Sequence, residues 1–159
     1  MGMIGNYVAT DSDMLQQIEN GALDLLDIDS EEHPTLDIDK SWQAIHFLLC
    51  DDIADGEPPF GYVVPMRDEN ALDIEMDFGA FALTSVETRE AYECIKNIGE
   101  EELREKYDFQ SFIDNEIYPV IDDEDMDDFF DYIYENFKSI QEFYKTASES
   151  GKGIVFYIM

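Results

Sequence analysis

Between Asp122 and Ser148 the large apolar residues fall into one helical stripe: Met126, Phe129, Phe130, Ile133, Phe137, Ile140 and Tyr144 recur every three or four positions. That spacing puts them on one face of an amphipathic helix, expected from about Glu124 to Ser148. Its acids lie in the first turns and Lys138 and Lys145 further along, so charge is aligned with the helix dipole. Gly151 and Gly153 follow, and "GIVFYIM" then reads as a buried strand. "MIGNYVAT" (residues 3–10) reads as another. These two strands are the most apolar of the chain and are expected to pair at the centre of a sheet.

The chain between these ends is punctuated clearly. Thr10 or Asp11 can cap a short helix running through Asn20, with Gly21 as its stop. Residues 22–35 read as an irregular connection broken by His33-Pro34. Asp39 is expected to cap a helix over Lys40–Cys50, and "DDIADGEPPF" to loop away from it. "GYVV" (Gly61–Val64) is β-rich, with Pro65 marking its end. Asp73–Ala82 leads through "FALTS" into a helix whose capping box is Thr84 with Glu87, running to about Ile98. Residues 100–116 hold one or two short helices, and Ile117–Pro119 is a break. Helices dominate without alternating regularly with strands. The expected fold is therefore α+β: one domain over residues 1–159, with a small mainly antiparallel or mixed sheet packed by several helices.

Charge narrows the functional classes. The 159 residues carry 39 acidic side chains against 9 basic ones, a net charge of -30. Such a chain repels phosphate backbones and anionic lipid, so neither nucleic acid nor membrane is an expected partner. A basic protein is the electrostatic complement, although acidity also serves solubility alone. Halophilic adaptation fits the charge but not the abundance of Ile and Phe. No basic-then-apolar leader, spanning segment or myristoylation pattern is present, and Cys50 and Cys94 form no disulfide framework. The expected location is the cytoplasm.

The acidic run Asp122–Asp131 contains the candidate partner surface: Asp122, Asp123, Glu124, Asp125, Asp127, Asp128 and Asp131. It lacks the central glycine of a calcium loop, and so does Asp27–Asp39, where Glu32 stands in that place. His46 and Cys50 are four apart, but two ligands do not make a zinc site. No nucleophile–base motif or phosphate loop occurs, so no metal, cofactor or catalytic residue is expected. Trp42, Ala44, Ile45, Phe47, Leu48, Leu49 and Cys50 leave their helix almost no polar face, which places His46 in the core with a need for a hydrogen-bond partner.

"MGMIG", "LDIDKSWQAIHFLL" and "NEIYP" (Asn115–Pro119), in that order and spacing, resemble the YfbM-like family of bacterial domains of unknown function. The resemblance covers essentially the full chain and implies a single bacterial cytosolic α+β domain. It supplies no reaction, and the acidity of Asp122–Asp131 departs from the family. The shared motifs imply a common location for Asp39, Lys40, Trp42 and His46 with Glu116 and Tyr118, a polar cluster against an aromatic wall. Two functions follow. One is a non-catalytic binding protein, of inhibitor or immunity type, that presents its acidic surface to a basic protein. The other is a small-molecule-binding or enzymatic domain built on the cluster around His46. If that cluster is structural, Asp39 caps a helix and Glu116 or Tyr118 satisfies His46.

Overall fold

The computed structural model describes residues 2–76, 78–120 and 123–159. Strands β1 (Gly5–Thr10) and β4 (Gly153–Ile158) pair antiparallel over their whole length, from Gly5 opposite Ile158 to Thr10 opposite Gly153. Short strands flank this pair: β2 (Thr35–Asp37) beside β1 and β3 (Ala80–Leu83) beside β4. The sheet is antiparallel throughout, in the order β2-β1-β4-β3, so the first and last strands are central.

Among the described residues six α-helices accompany it: α1 (Ser12–Glu19), α2 (Trp42–Cys50), α3 (Ser85–Ile95), α4 (Glu100–Lys106), α5 (Phe109–Asp114) and α6 (Met126–Glu149). Strand alternation sends successive side chains to opposite faces. Tyr7, Ala9, Ile154, Phe156 and Ile158 enter the larger core with α2, α3 and α6. Val8, Val155 and Ala80 enter a smaller core with Met14 and Ile18 of α1 and with Leu25.

The termini of the helices follow from their caps. Asp11 accepts the amide of Met14 at the start of α1, and the Thr84–Glu87 capping box opens α3. Asp125 accepts the amides of Asp127 and Asp128, so α6 begins at Met126. Gln141 of α6 donates to the carbonyls of Ile95 and Ile98 at 2.8 and 3.0 Å, tying down the end of α3.

Three local expectations are corrected. Gly61–Val64 is not a strand: Phe60–Tyr62 is a 3-10 turn, and Val63 and Val64 are buried without a strand neighbour. The carbonyls of Tyr62 and Val63 are taken instead by two tyrosines. Tyr7 Oη donates to Val63 O at 2.6 Å, and Tyr144 Oη lies 2.7 and 2.8 Å from the carbonyls of Val63 and Tyr62. The missing strand is β2, at the end of the segment expected to be irregular and just beyond it. Asp39 does not cap α2. It has φ +53° and opens a 3-10 turn over Asp39–Ser41, and α2 proper starts at Trp42.

Candidate functional site

The first turns of α6 place phenylalanines inward and carboxylates outward. Phe129 and Phe130 are buried, whereas Asp123, Glu124, Asp125, Asp127, Asp128 and Asp131 are exposed. Asp122 lies outside the described residues. Tyr107 Oη donates to Met126 O at 2.8 Å and fixes the start of the helix. One flank is partly neutralised: Arg104 of α4 lies 3.5 Å from Asp131 and 3.9 Å from Asp127, with its guanidinium 4.2 Å above the Phe130 ring. On the flank turned towards Tyr132, Asp128 has no ion-pair partner among the described residues.

Tyr132 joins that flank to the second group of sequence candidates. Its hydroxyl donates to Asp39 Oδ2 at 2.9 Å and accepts the backbone amide of Lys40 at 3.0 Å. Burial, and then the hydrogen bond to Asp39, push the Tyr132 phenol up from its ordinary value. Asp39 is held by its left-handed backbone and by the 2.7 Å bond from its own amide to Asp37 Oδ1. Trp42 Nε1 donates to Met3 O at 2.9 Å, and Met3 N donates to Tyr118 Oη at 2.9 Å. The Trp42 and Tyr118 rings lie 5.8 Å apart, and the Tyr118 amide donates to Gln43 Oε1 at 2.6 Å. Asp39, Lys40, Trp42 and Tyr118 are thus linked through Met3, Gln43 and Tyr132. Glu116 is exposed on the turn before Tyr118, with φ +53° and no side-chain hydrogen bond or ion pair among the described residues.

His46 belongs to a different environment. Its ring is 1% exposed, and Nδ1 lies 2.9 Å from Asp52 O while Gly56 N donates to Nε2 at 3.3 Å. These partners select the tautomer with hydrogen on Nδ1. Burial lowers the His46 pKa, against the opposing pull of the Asp52 carbonyl and of the Asp52 and Asp55 carboxylates. The expected partners Glu116 and Tyr118 are corrected to backbone groups of the loop after α2. Cys50 and Cys94 are free thiols, each pushed up to about 11 chiefly by burial, which suits packing rather than nucleophilic attack. Among the described residues no group of three side chains is placed to hold a metal.

The sequence profile of the domain of unknown function DUF1877 matches residues 1–157. The chain belongs to the DUF1877 family. The crystal structure of YfbM from Escherichia coli, a protein of unknown function, superposes with a TM-score of 0.77 at 21% identity, over 98% of this chain and 99% of that one. The two share one α+β fold of a single domain. No curated protein matches the sequence. Membership of DUF1877 therefore brings no reaction with it.

In this DUF1877 domain the Tyr132–Asp39 bond ties α6 to the segment before α2, which brings Asp39 and Lys40 next to α6 and leaves His46 and Glu116 apart from it. Asp37, Asp39, Asp123, Glu124, Asp125, Asp127, Asp128 and Asp131 are all exposed around these elements; Arg104 pairs with Asp127 and Asp131 on one flank of α6, and Lys40 lies beside Asp39 on the other. Tyr132, Gln43 and Met3 are the members that sequence reasoning missed. Tyr132 was signalled only weakly, as an aromatic one position off the buried stripe of α6. Among the described residues no helix is long and apolar enough to cross a membrane.

Proposed function

We propose that this protein is a non-catalytic, cytoplasmic binding module whose acidic face engages a basic protein, as an inhibitor or immunity-type protein does. The supporting observation is the Tyr132–Asp39 hydrogen bond of 2.9 Å, which makes one surface of the first turns of α6 and the segment before α2. Helix-borne carboxylates beside half-buried aromatic rings offer a lysine- or arginine-rich surface both charge complementarity and flat apolar contact. The competing reading, chemistry at His46, gains nothing from a ring that is buried with both nitrogens bonded to backbone.

The test compares the wild-type protein with an Asp39→Asn, Asp128→Asn, Asp131→Asn variant as baits in host extract at about 50 mM salt. Quantitative mass spectrometry is expected to find a basic protein retained by the wild type and depleted at least tenfold on the variant, a loss of about 1.4 kcal/mol or more. Equal retention of every captured protein by both baits would remove this face from the proposal.

A further inference from the structure

A cavity of about 530 Å³ opens at the end of the sheet where β1 and β3 finish and β4 begins, away from the acidic face of α6. Its floor is set by the Thr10–Gly153 pair of the central strands. Gly153 must be glycine: a Cβ there would run into the carbonyl oxygen of Leu83 and come within 3.5 Å of the Thr10 hydroxyl. The space above Thr10 is thereby kept open.

Thr10 is only 2% exposed, and its hydroxyl makes no hydrogen bond among the described residues. Among the described residues, the side-chain polar atoms fully sealed from solvent without a partner are Arg67 Nε and Asn70 Oδ1; the Thr10 hydroxyl is not fully sealed. Thr10 lies on the same face of β1 as Val8, the face packed by α1, and it lines the cavity. An alcohol this deep without a partner is a polar group placed for a ligand or a water.

The rest of the lining sets the ligand's charge. One side of α1 forms a wall, with Asp11 at its start, Gln16 midway and Glu19 at its end. Among the described residues the charged side chains lining the cavity are these two carboxylates; Lys152, between the lining residues Gly151 and Gly153, is not part of the lining. Anions are disfavoured although two helices start here, because Asp11 and the Thr84–Glu87 box already take amides of those first turns. Asp11 and Glu19 are eight residues apart in sequence. They are separated by roughly 12 Å along α1, from a rise of about 1.5 Å per residue.

We infer that this cavity binds a linear polyamine of triamine length. One terminal ammonium pairs with Asp11 and the other with Glu19, and the intervening N–H groups donate to the Thr10 hydroxyl and the Gln16 carbonyl. The inference does not depend on the partner face of α6.

The experiment is a titration of the ¹⁵N-labelled protein with spermidine in ~150 mM salt, with magnesium chloride and glycerol as parallel probes. Saturable 1:1 shifts at the amides of Thr10, Ser12, Ser85 and Gly153 are expected with spermidine and not with the other two. Thr10→Val, which keeps charge and volume, is expected to weaken spermidine binding about tenfold, and Glu19→Gln, at an exposed position, about threefold. Unsaturable shifts centred on the first turns of α6, or the same shifts with magnesium, would reduce the effect to general charge screening and overturn the inference. Shifts with glycerol alone would make the cavity a polyol site and overturn it equally. If Thr10→Val fails to fold, Glu19→Gln decides, and wild-type affinity there rejects the assignment.

Discussion

His46 shows how a single residue can be readable in kind and unreadable in its contacts. Seven apolar neighbours on one helix predict a buried ring with a partner, and the ring is buried with two. Which partners could not be read, because they are backbone groups of Asp52 and Gly56, placed by the path of a loop rather than by residue type. Asp39 is the same case: its residue type suits a cap, but its left-handed backbone gives its carboxylate to Tyr132 instead. The environment of His46 has a consequence for pH. Protonating Nε2 would turn it towards the N–H of Gly56, donor against donor, and would bury a charge. The folded state therefore binds that proton more weakly than the unfolded chain, in line with a lowered pKa. Stability from this group is complete above the unfolded value of about 6.5 and is lost as pH falls towards the lower folded value. His46→Ala is expected to cost about 1–3 kcal/mol at pH 7.5 through the orphaned Gly56 amide and Asp52 carbonyl. The cost should shrink as pH falls below about 6.5. Urea unfolding of both proteins at several pH values checks this, and a cost that grows towards acid pH would contradict it.

Elements with a strong period were legible and those held by tertiary contacts were not. The stripe of α6, the cap at Asp11, the Thr84–Glu87 box and the two apolar end strands all carry local signals that agree with the packing. "GYVV" carried a strand signal by propensity alone. Its carbonyls are claimed by the hydroxyls of Tyr7 and Tyr144, residues remote from it in sequence, so a turn wins. β2 has three residues and is only half-buried at Leu36; it exists because β1 offers it an edge. Within α6 the two faces are expected to respond oppositely to mutation. Phe137 is 1% exposed in the main core, so Phe137→Ala should cost about 3–5 kcal/mol. Asp127 and Asp128 have exposed side chains, and their part in helix initiation is through backbone amides bound to Asp125. Replacing both by Asn should cost no more than about 1 kcal/mol, the scale of an exposed charge–dipole interaction in a first turn. Chemical denaturation measures both. A double Asn variant as damaging as Phe137→Ala would mean that these carboxylates hold the fold rather than face a partner.

At the scale of the molecule the question is whether the net charge of -30 is relieved internally. Among the described residues, Arg67, Lys96, Arg104 and Lys138 form ion pairs with Glu69, Glu93, Glu100, Asp127, Asp131 and Glu135. These pairs are largely exposed and contribute about 0–1 kcal/mol each. Most of the 39 acids are left facing solvent and one another. Repulsion among them is long-ranged at low ionic strength and is released when the chain expands, so it lowers the stability of the folded state. Raising salt from ~10 mM to ~150 mM shortens the screening length from about 30 to about 8 Å. The few exposed ion pairs weaken over that range, but the far more numerous like-charge contacts weaken too, and the second effect dominates. The melting temperature is therefore expected to rise with salt, and calorimetry across a chloride series measures it. The rise should be smaller in the Asp39→Asn, Asp128→Asn, Asp131→Asn variant, which removes three exposed charges from α6 and the segment beside it. A flat or falling melting temperature would mean that the carboxylates are dispersed enough not to repel, and the concentrated acidic face would lose its physical basis.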